Sequence, residues 1–109
     1  MSQTSLQSNV SKLAQLLLAK KISICTAESC TGGMVAAALT DLSGSSNWFE
    51  RGLVTYSNES KNQHLGVPMD LIQTHGAVSV SVATEMAKGA ILHSGAQASL
   101  AITGVAGPT

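Results

Sequence analysis

The sequence predicts an α/β domain in which helices surround a small, mainly parallel sheet. Three observations lead there. Segments with helical and strand-like patterning follow the order α-β-α-β-α-α-α-β, and parallel strands need such crossovers because a tight hairpin joins only antiparallel neighbours. Hydrophobic residues make up 44% of the 109 residues, yet Trp48, Phe49 and Tyr56 are the only aromatics, so the core must be built from Leu, Val, Ile and Ala. Charged residues amount to 11%, too few for a disordered polyelectrolyte, and the length suits one domain.

Taken in order, Ser8 or Ser11 is the expected cap of a first helix running to about Lys20, with Val10, Leu13, Ala14 and Leu17 on one face. ISICT at 22–26 is a β-favouring run and the first strand. Residues 30–42 read as a second helix, whose Gly33, Ala36, Ala37 and Ala38 allow close approach to a sheet. A loop at 43–47 leads to a second strand at 53–56. Ser57 then caps a short helix that Gly66 and Pro68 stop after Leu65. PMDLIQTH is another helical turn, ending at Gly76, and Ser79 caps a longer helix with Val82, Met86, Ala90 and His93 in register. Residues 98–103 form the third strand, and GVAGPT follows.

Composition excludes several functions. Six basic residues balance six acidic ones, so the basic excess of a nucleic-acid binder is missing, as are its aromatic stacking platforms. No run of about 18 apolar residues exists to span a membrane as a helix, and LAQLLLA near the N-terminus lacks the flanks of a secretory signal. Two cysteines make no disulfide framework, so a reducing cytoplasm is the expected compartment. Cys25, Cys30 and the scattered histidines do not form a zinc set, and nothing calls for a cofactor. A small-molecule site remains.

The segment richest in chemistry is TAESCTGG, residues 26–33, between the first strand and the second helix. Such a turn projects a short side chain at the carboxyl end of a sheet, where α/β folds bind ligands, and aims unpaired helix N–H groups at the same spot. Ser29 is thereby a candidate nucleophile, with the N–H groups of Cys30 and Thr31 as oxyanion donors. Position alone favours a plainer account, in which Glu28 and Ser29 cap the helix and Gly32 and Gly33 pack it closely. Cys30 is the rival nucleophile, expected to point away from a cleft that Ser29 faces, and Cys25 reads as a core residue.

Ser29 needs a base. His64, His75 and His93 have no acidic partner in a triad-like order and read as exposed or core histidines. Lys61, in YSNESK after the second strand, is the better candidate, although an exposed lysine is the blander account. Lowering its pKa to about 7 takes roughly 4.6 kcal/mol at about 1.36 per unit. A helix terminus supplies about 0.3 to 1 of that, so desolvation must provide most. The Tyr56 hydroxyl is placed to relay or orient the proton. At the other end of the chain, Thr103, Gly104 and Gly107 in TGVAGPT form a loop whose N–H groups suit an anion. Arg51 reads as a surface partner of Glu50.

TAESCTGG, GSSNWFERGLVTYSNESK, HGAVS, EMAKGA and ITGVAGP together, in this order, resemble the family of the C-terminal domain of the competence/damage-inducible protein CinA and its stand-alone relatives. The resemblance covers nearly everything from about Thr26 onward. It implies a three-layer α/β/α sandwich with a mixed sheet, no metal, and hydrolysis of nicotinamide mononucleotide to nicotinate mononucleotide and ammonia in pyridine nucleotide salvage. It implies Ser29 as nucleophile, Lys61 as its dyad partner and Tyr56 beside them. Glu28, Cys30, Thr31, Gly32, Gly33, Asn58, Thr103, Gly104 and Gly107 are the expected substrate contacts. The alternative is a module that binds a pyridine nucleotide without turning it over. The family domain continues past the glycine-rich loop, so residues 1–109 are expected to be a single such domain cut short at its C-terminal end. A homo-oligomer is compatible with this reading.

Overall fold

The computed structural model describes residues 3–105. The elements are α1 (Gln3–Lys20), β1 (Ile24–Glu28), α2 (Met34–Thr40), β2 (Phe49–Val54), α3 (Asn58–Leu65), α4 (Met69–His75), α5 (Val80–Leu92) and β3 (Ala98–Ile102), with a 3₁₀ turn at Ser45–Asn47. The strands form one sheet in the order β2-β1-β3, and both pairings are parallel. Among the described residues nothing supplies the antiparallel pairing expected of a mixed sheet. No described helix is long and apolar enough to cross a membrane.

The central strand decides the layering. Every residue of β1 is buried, as expected of a strand covered on both faces, and its side chains alternate between two cores. Cys25 and Ala27 pack with Leu65 of α3, Ile72 of α4 and Val82, Met86 and Ala90 of α5. Ile24 packs on the other side with Val10, Ala14 and Leu17 of α1, Leu39 of α2 and Trp48. Helices thus lie on both faces, and the arrangement is a three-layer α/β/α sandwich.

Element order and the three C-terminal helices match the sequence pattern. Ser57 accepts the Ser60 N–H and Ser79 that of Val82, each capping its helix, and Gly66 closes α3 in a left-handed conformation. Other boundaries move for identifiable reasons. Ser8 and Ser11 lie inside α1 instead of capping it, because the buried stripe already begins at Leu6. β1 extends to Ala27 and Glu28, residues with poor strand propensity that are held by pairing on both sides. β2 begins at Phe49, since the ladder to β1 recruits Glu50, Arg51 and Gly52 despite their polarity. α2 starts only at Met34, because Gly32 and Gly33 take positive φ values of 60° and 110° and make a turn of what reads as helix.

Close approach explains two glycines that the pattern alone does not. A Cβ at Gly52 would come within 2.9 Å of Thr26 Oγ1 and 3.1 Å of Ala36 Cβ, so β2 and α2 meet there without a side chain between them. A Cβ at Gly89 would collide with the carbonyl oxygen of Leu65, where α5 crosses the end of α3. Gly89→Ala should therefore lower Tm on the order of 10 °C, the usual effect of overpacking in a domain of this size. Gly95→Ala, where the added carbon meets nothing within 4 Å, should leave thermal unfolding nearly unchanged. Equal melting of the two variants would contradict this account of the α3–α5 contact.

Candidate active site

Because the strands are parallel, their carboxyl ends share one edge. The segments leaving them, 29–33 after β1, 55–57 after β2 and 103–105 after β3, build the site. Alternation along β1 sends consecutive residues to opposite layers, so Glu28 faces α2 while Ser29 faces α3.

Glu28 is completely buried. Its Oε1 accepts hydrogen bonds from Thr31 Oγ1 at 2.6 Å, Gly33 N at 3.1 Å and Val35 N at 3.0 Å, and its Oε2 accepts from Ala36 N at 2.8 Å. Gly33 offers α2 no side-chain cap, and the carboxylate of the preceding strand does that work. Burial by itself would raise this carboxyl, but the bonds from Thr31, Val35, Ala36 and Gly33 outweigh it and hold the pKa below the ordinary 4.5. The Glu28 carboxylate and the Gly33 N–H, both expected substrate contacts, bond each other in holding the turn.

Ser29 is 6% exposed and anchored by its N–H to Ile102 O at 3.0 Å. Lys61 Nζ lies 3.0 Å from Ser29 Oγ and donates to Tyr56 O at 3.1 Å. The Ser29 hydroxyl is itself 3.4 Å from that carbonyl. Lys61 is 1% exposed. The ion pairs among the described residues join Arg51 to Glu50 and Lys88 to Glu85, so no carboxylate compensates this buried amine. Burial pushes its pKa below 10.5, opposed by an electrostatic interaction with Cys30. Desolvation thus takes the leading part that the energy argument from sequence requires.

Tyr56 meets the pair through its backbone. The residue is 65% exposed, and its carbonyl touches both Ser29 and Lys61. Cys30 stays nearer the pair than expected, because residues 30–33 form a turn and not a helix. Its Sγ packs against Gly104, where a Cβ would sit 3.2 Å away, and it lies near enough to Lys61 to influence it electrostatically. In this turn the N–H of Gly32 bonds Ser29 O, that of Met34 bonds Thr31 O, and those of Gly33, Val35 and Ala36 bond Glu28. Among the described residues, the N–H groups of Cys30 and Thr31 are the two left over.

The remaining expected contacts divide. Gly32 is exposed in the turn and Asn58 is exposed at the start of α3. Thr103 Oγ1 donates to Ala77 O at 2.8 Å and so ties the end of β3 to the segment before α5. Gly107 lies outside the described residues. His64, His75 and His93 are exposed, Cys25 is fully buried in the core, and Arg51 pairs with Glu50 at 2.8 Å, all as the sequence suggests. Thr55 escaped notice. It is 1% exposed, its N–H extends the β1–β2 ladder to Glu28 O at 2.8 Å, and its hydroxyl has no partner among the described residues. The signal for it was parity, two residues after the core-facing Leu53.

A profile of the CinA C-terminal domain matches residues 6–109. The chain is 52% identical over 97 residues to the nicotinamide-nucleotide amidohydrolase PncC of Escherichia coli, which covers 89% of this chain and 59% of that protein. It is 52% identical over 96 residues to a CinA-like protein of Chlorobium phaeobacteroides, covering 88% of this chain and 23% of the relative. The chain therefore spans less than two thirds of the length of either. Among solved structures, a CinA superfamily protein from Escherichia coli superposes with a TM-score of 0.94 at 38% identity, over 99% of this chain and 63% of that one. A competence/damage-inducible protein from Agrobacterium tumefaciens gives 0.92 at 41% identity, over 95% and 63%.

The Glu28 cap has a thermodynamic signature. Its pKa is lower in the folded chain than the ordinary 4.5, so its stabilisation is fully present above that value and fades as pH falls through the lower folded one. Glu28→Gln loses the charge and one acceptor oxygen and should cost about 1.5–3 kcal/mol at neutral pH. Urea unfolding at pH 7 and pH 3 is the measurement. The gap between wild type and variant should narrow in acid, and a gap that stays constant would remove the carboxylate from this role.

Proposed function

The chain belongs to the CinA C-terminal domain family, and from that premise we propose that it carries the catalytic dyad of a nicotinamide-nucleotide amidohydrolase. The observation that carries this reading is the 3.0 Å contact between Ser29 Oγ and a buried Lys61 that has no carboxylate counter-ion among the described residues. A lysine in that situation is readily deprotonated, and a neutral amine beside a serine hydroxyl is a general base.

In the proposed reaction Ser29 Oγ attacks the carboxamide carbon of nicotinamide mononucleotide while its proton moves to the Nζ lone pair. The carbonyl electrons collect on oxygen, facing the N–H groups of Cys30 and Thr31. Collapse of this intermediate breaks the C–N bond, and the ammonium of Lys61 returns its proton to the leaving nitrogen, releasing ammonia. Water, deprotonated by the again-neutral Lys61, then attacks the acyl carbon; the C–Oγ bond breaks, Lys61 returns the proton to Ser29 Oγ, and nicotinate mononucleotide leaves. Tyr56 acts through its carbonyl, which holds Nζ in line with Oγ. The exposed phenol ring is available to a substrate above the pair. Gly104, packed on Cys30, keeps the adjoining wall of the site thin.

Ser29→Ala should reduce ammonia release by at least about a thousandfold while the mononucleotide still binds in calorimetry. Binding without any turnover by the wild-type chain would instead favour a non-catalytic nucleotide-binding module. For Lys61 the sign is set by its lowered pKa: the neutral base forms as pH rises, so the rate should climb through a midpoint below 10.5. Lys61→Arg should be inactive because guanidinium stays protonated. Lys61→Met should be equally inactive yet at least as stable at pH 7, since it removes a buried group that the unfolded chain protonates more readily. An active arginine variant would reduce Lys61 to an electrostatic anchor.

A further inference from the structure

Two buried hydroxyls, those of Thr26 and Thr55, have no partner among the described residues and no part in the proposed mechanism, and Thr55 is the one on the Ser29 side of the sheet. The β1–β2 register pairs Glu28 with Val54, and the bond from Thr55 N to Glu28 O carries the ladder one step further. Ser29 and Thr55 are therefore lateral neighbours. Their side chains share a face, because Ala27 and Leu53, two residues earlier on each strand, both lie in the α3–α5 core. Lys61 reaches this same face from α3, and the carbonyl of Tyr56, the residue after Thr55, is one of its partners. Thr55 is 1% exposed, and its Oγ1 has no hydrogen-bond partner among the described residues.

An orphaned hydroxyl on the face that a proton acceptor reaches has a use. A neutral amine has two N–H groups, while an ammonium has three. Ser29 Oγ and Tyr56 O receive the two N–H groups of the resting amine, so Nζ must turn its lone pair to Ser29 before it can act as a base. We propose that Thr55 is a positioning residue whose hydroxyl, by rotating about its own Cα–Cβ bond, accepts the N–H that leaves Ser29 Oγ in that turn. The Ser29 O–H bond breaks, the third Nζ–H bond forms towards Ser29 Oγ, and the ammonium created in a buried place has an acceptor for each of its N–H groups. In the resting state the acceptor stays free, so the arrangement does not tie Lys61 to its charged form. The inference rests on the Ser29–Lys61 reading of the site.

Other titratable groups around Lys61 are few. Cys30 acts on it from the turn after β1, and Glu28 faces the opposite layer. On α3 itself Glu59 and His64 are exposed, and the buried face of α5 is Val82, Met86, Gly89 and Ala90.

The test compares Thr55→Val, which keeps the shape and removes the hydroxyl, with Thr55→Ser, which keeps the hydroxyl, each also in a Cys30→Ser background. The Lys61 titration is followed by NMR of its side-chain Cε and Nζ, a readout independent of turnover. In Thr55→Val the Lys61 pKa should fall by about one unit, since the ammonium loses an acceptor, and kcat should drop about tenfold with KM within about twofold. Thr55→Ser should restore both. Melting of Thr55→Val at a pH where Lys61 is neutral should match or exceed wild type, because the hydroxyl is unpaired there. An unchanged Lys61 titration overturns the proposal, and so does a Thr55→Val protein that is destabilised with Lys61 neutral. If Ser29→Ala keeps its ammonia release, the amidohydrolase reading fails on its own, while the NMR titration still decides whether Thr55 receives the ammonium.

Discussion

The burial of the Glu28 carboxylate at the start of α2 organises the working edge of this molecule. A helix beginning inside a fold has N–H groups that must find acceptors, and Gly33, in a left-handed conformation, offers none. Glu28 meets three backbone N–H groups and the Thr31 hydroxyl at once. The turn 29–33 is thereby held to the strand that precedes it. Strand alternation then does the rest. With Glu28 committed to the α2 layer, Ser29 must face α3, where Lys61 stands.

Lys61 places an opposite demand on the same few residues. A buried amine without a carboxylate partner costs stability, and the fold bears that cost at the carboxyl edge of a parallel sheet, a common place for it in α/β proteins. The side chain is buried, and Nζ is met by one hydroxyl and one carbonyl. Both are neutral acceptors. They satisfy the nitrogen without stabilising its charge as a carboxylate would, which is why burial is the leading influence on its pKa. The interaction with Cys30, one residue from the serine, pulls the other way.

Much of this architecture is legible in the amino-acid sequence. Ser57, Gly66, Ser79 and Gly76 bound the three C-terminal helices where local capping chemistry puts them. Val82, Met86 and Ala90 recur at helical spacing and are fully buried together. The strands were harder to delimit. Glu50 and Arg51 look like surface loop, yet they lie in an edge strand, where one face and one ladder suffice. Gly52 and Gly89 could not be read at all, because their significance is a neighbour remote in sequence, Thr26 and Ala36 for one and Leu65 for the other.

The site divides along the same line. Residue types and local order determine that a serine follows the first strand on a glycine-rich turn, that Ser57 starts the helix bearing Lys61, and that the motifs resemble the CinA family. These are short-range facts, governed by propensity, capping and turn chemistry within a few residues. Only the tertiary structure decides that Glu28 holds the turn, that the Tyr56 carbonyl meets both Ser29 and Lys61, that Cys30 lies near enough to Lys61 to influence it, and that the buried Thr55 hydroxyl has no partner among the described residues. Each of those depends on which face of a strand a side chain takes and on what is packed opposite. That is set by the register of β1 between β2 and β3, a long-range pairing that no local stretch of sequence encodes.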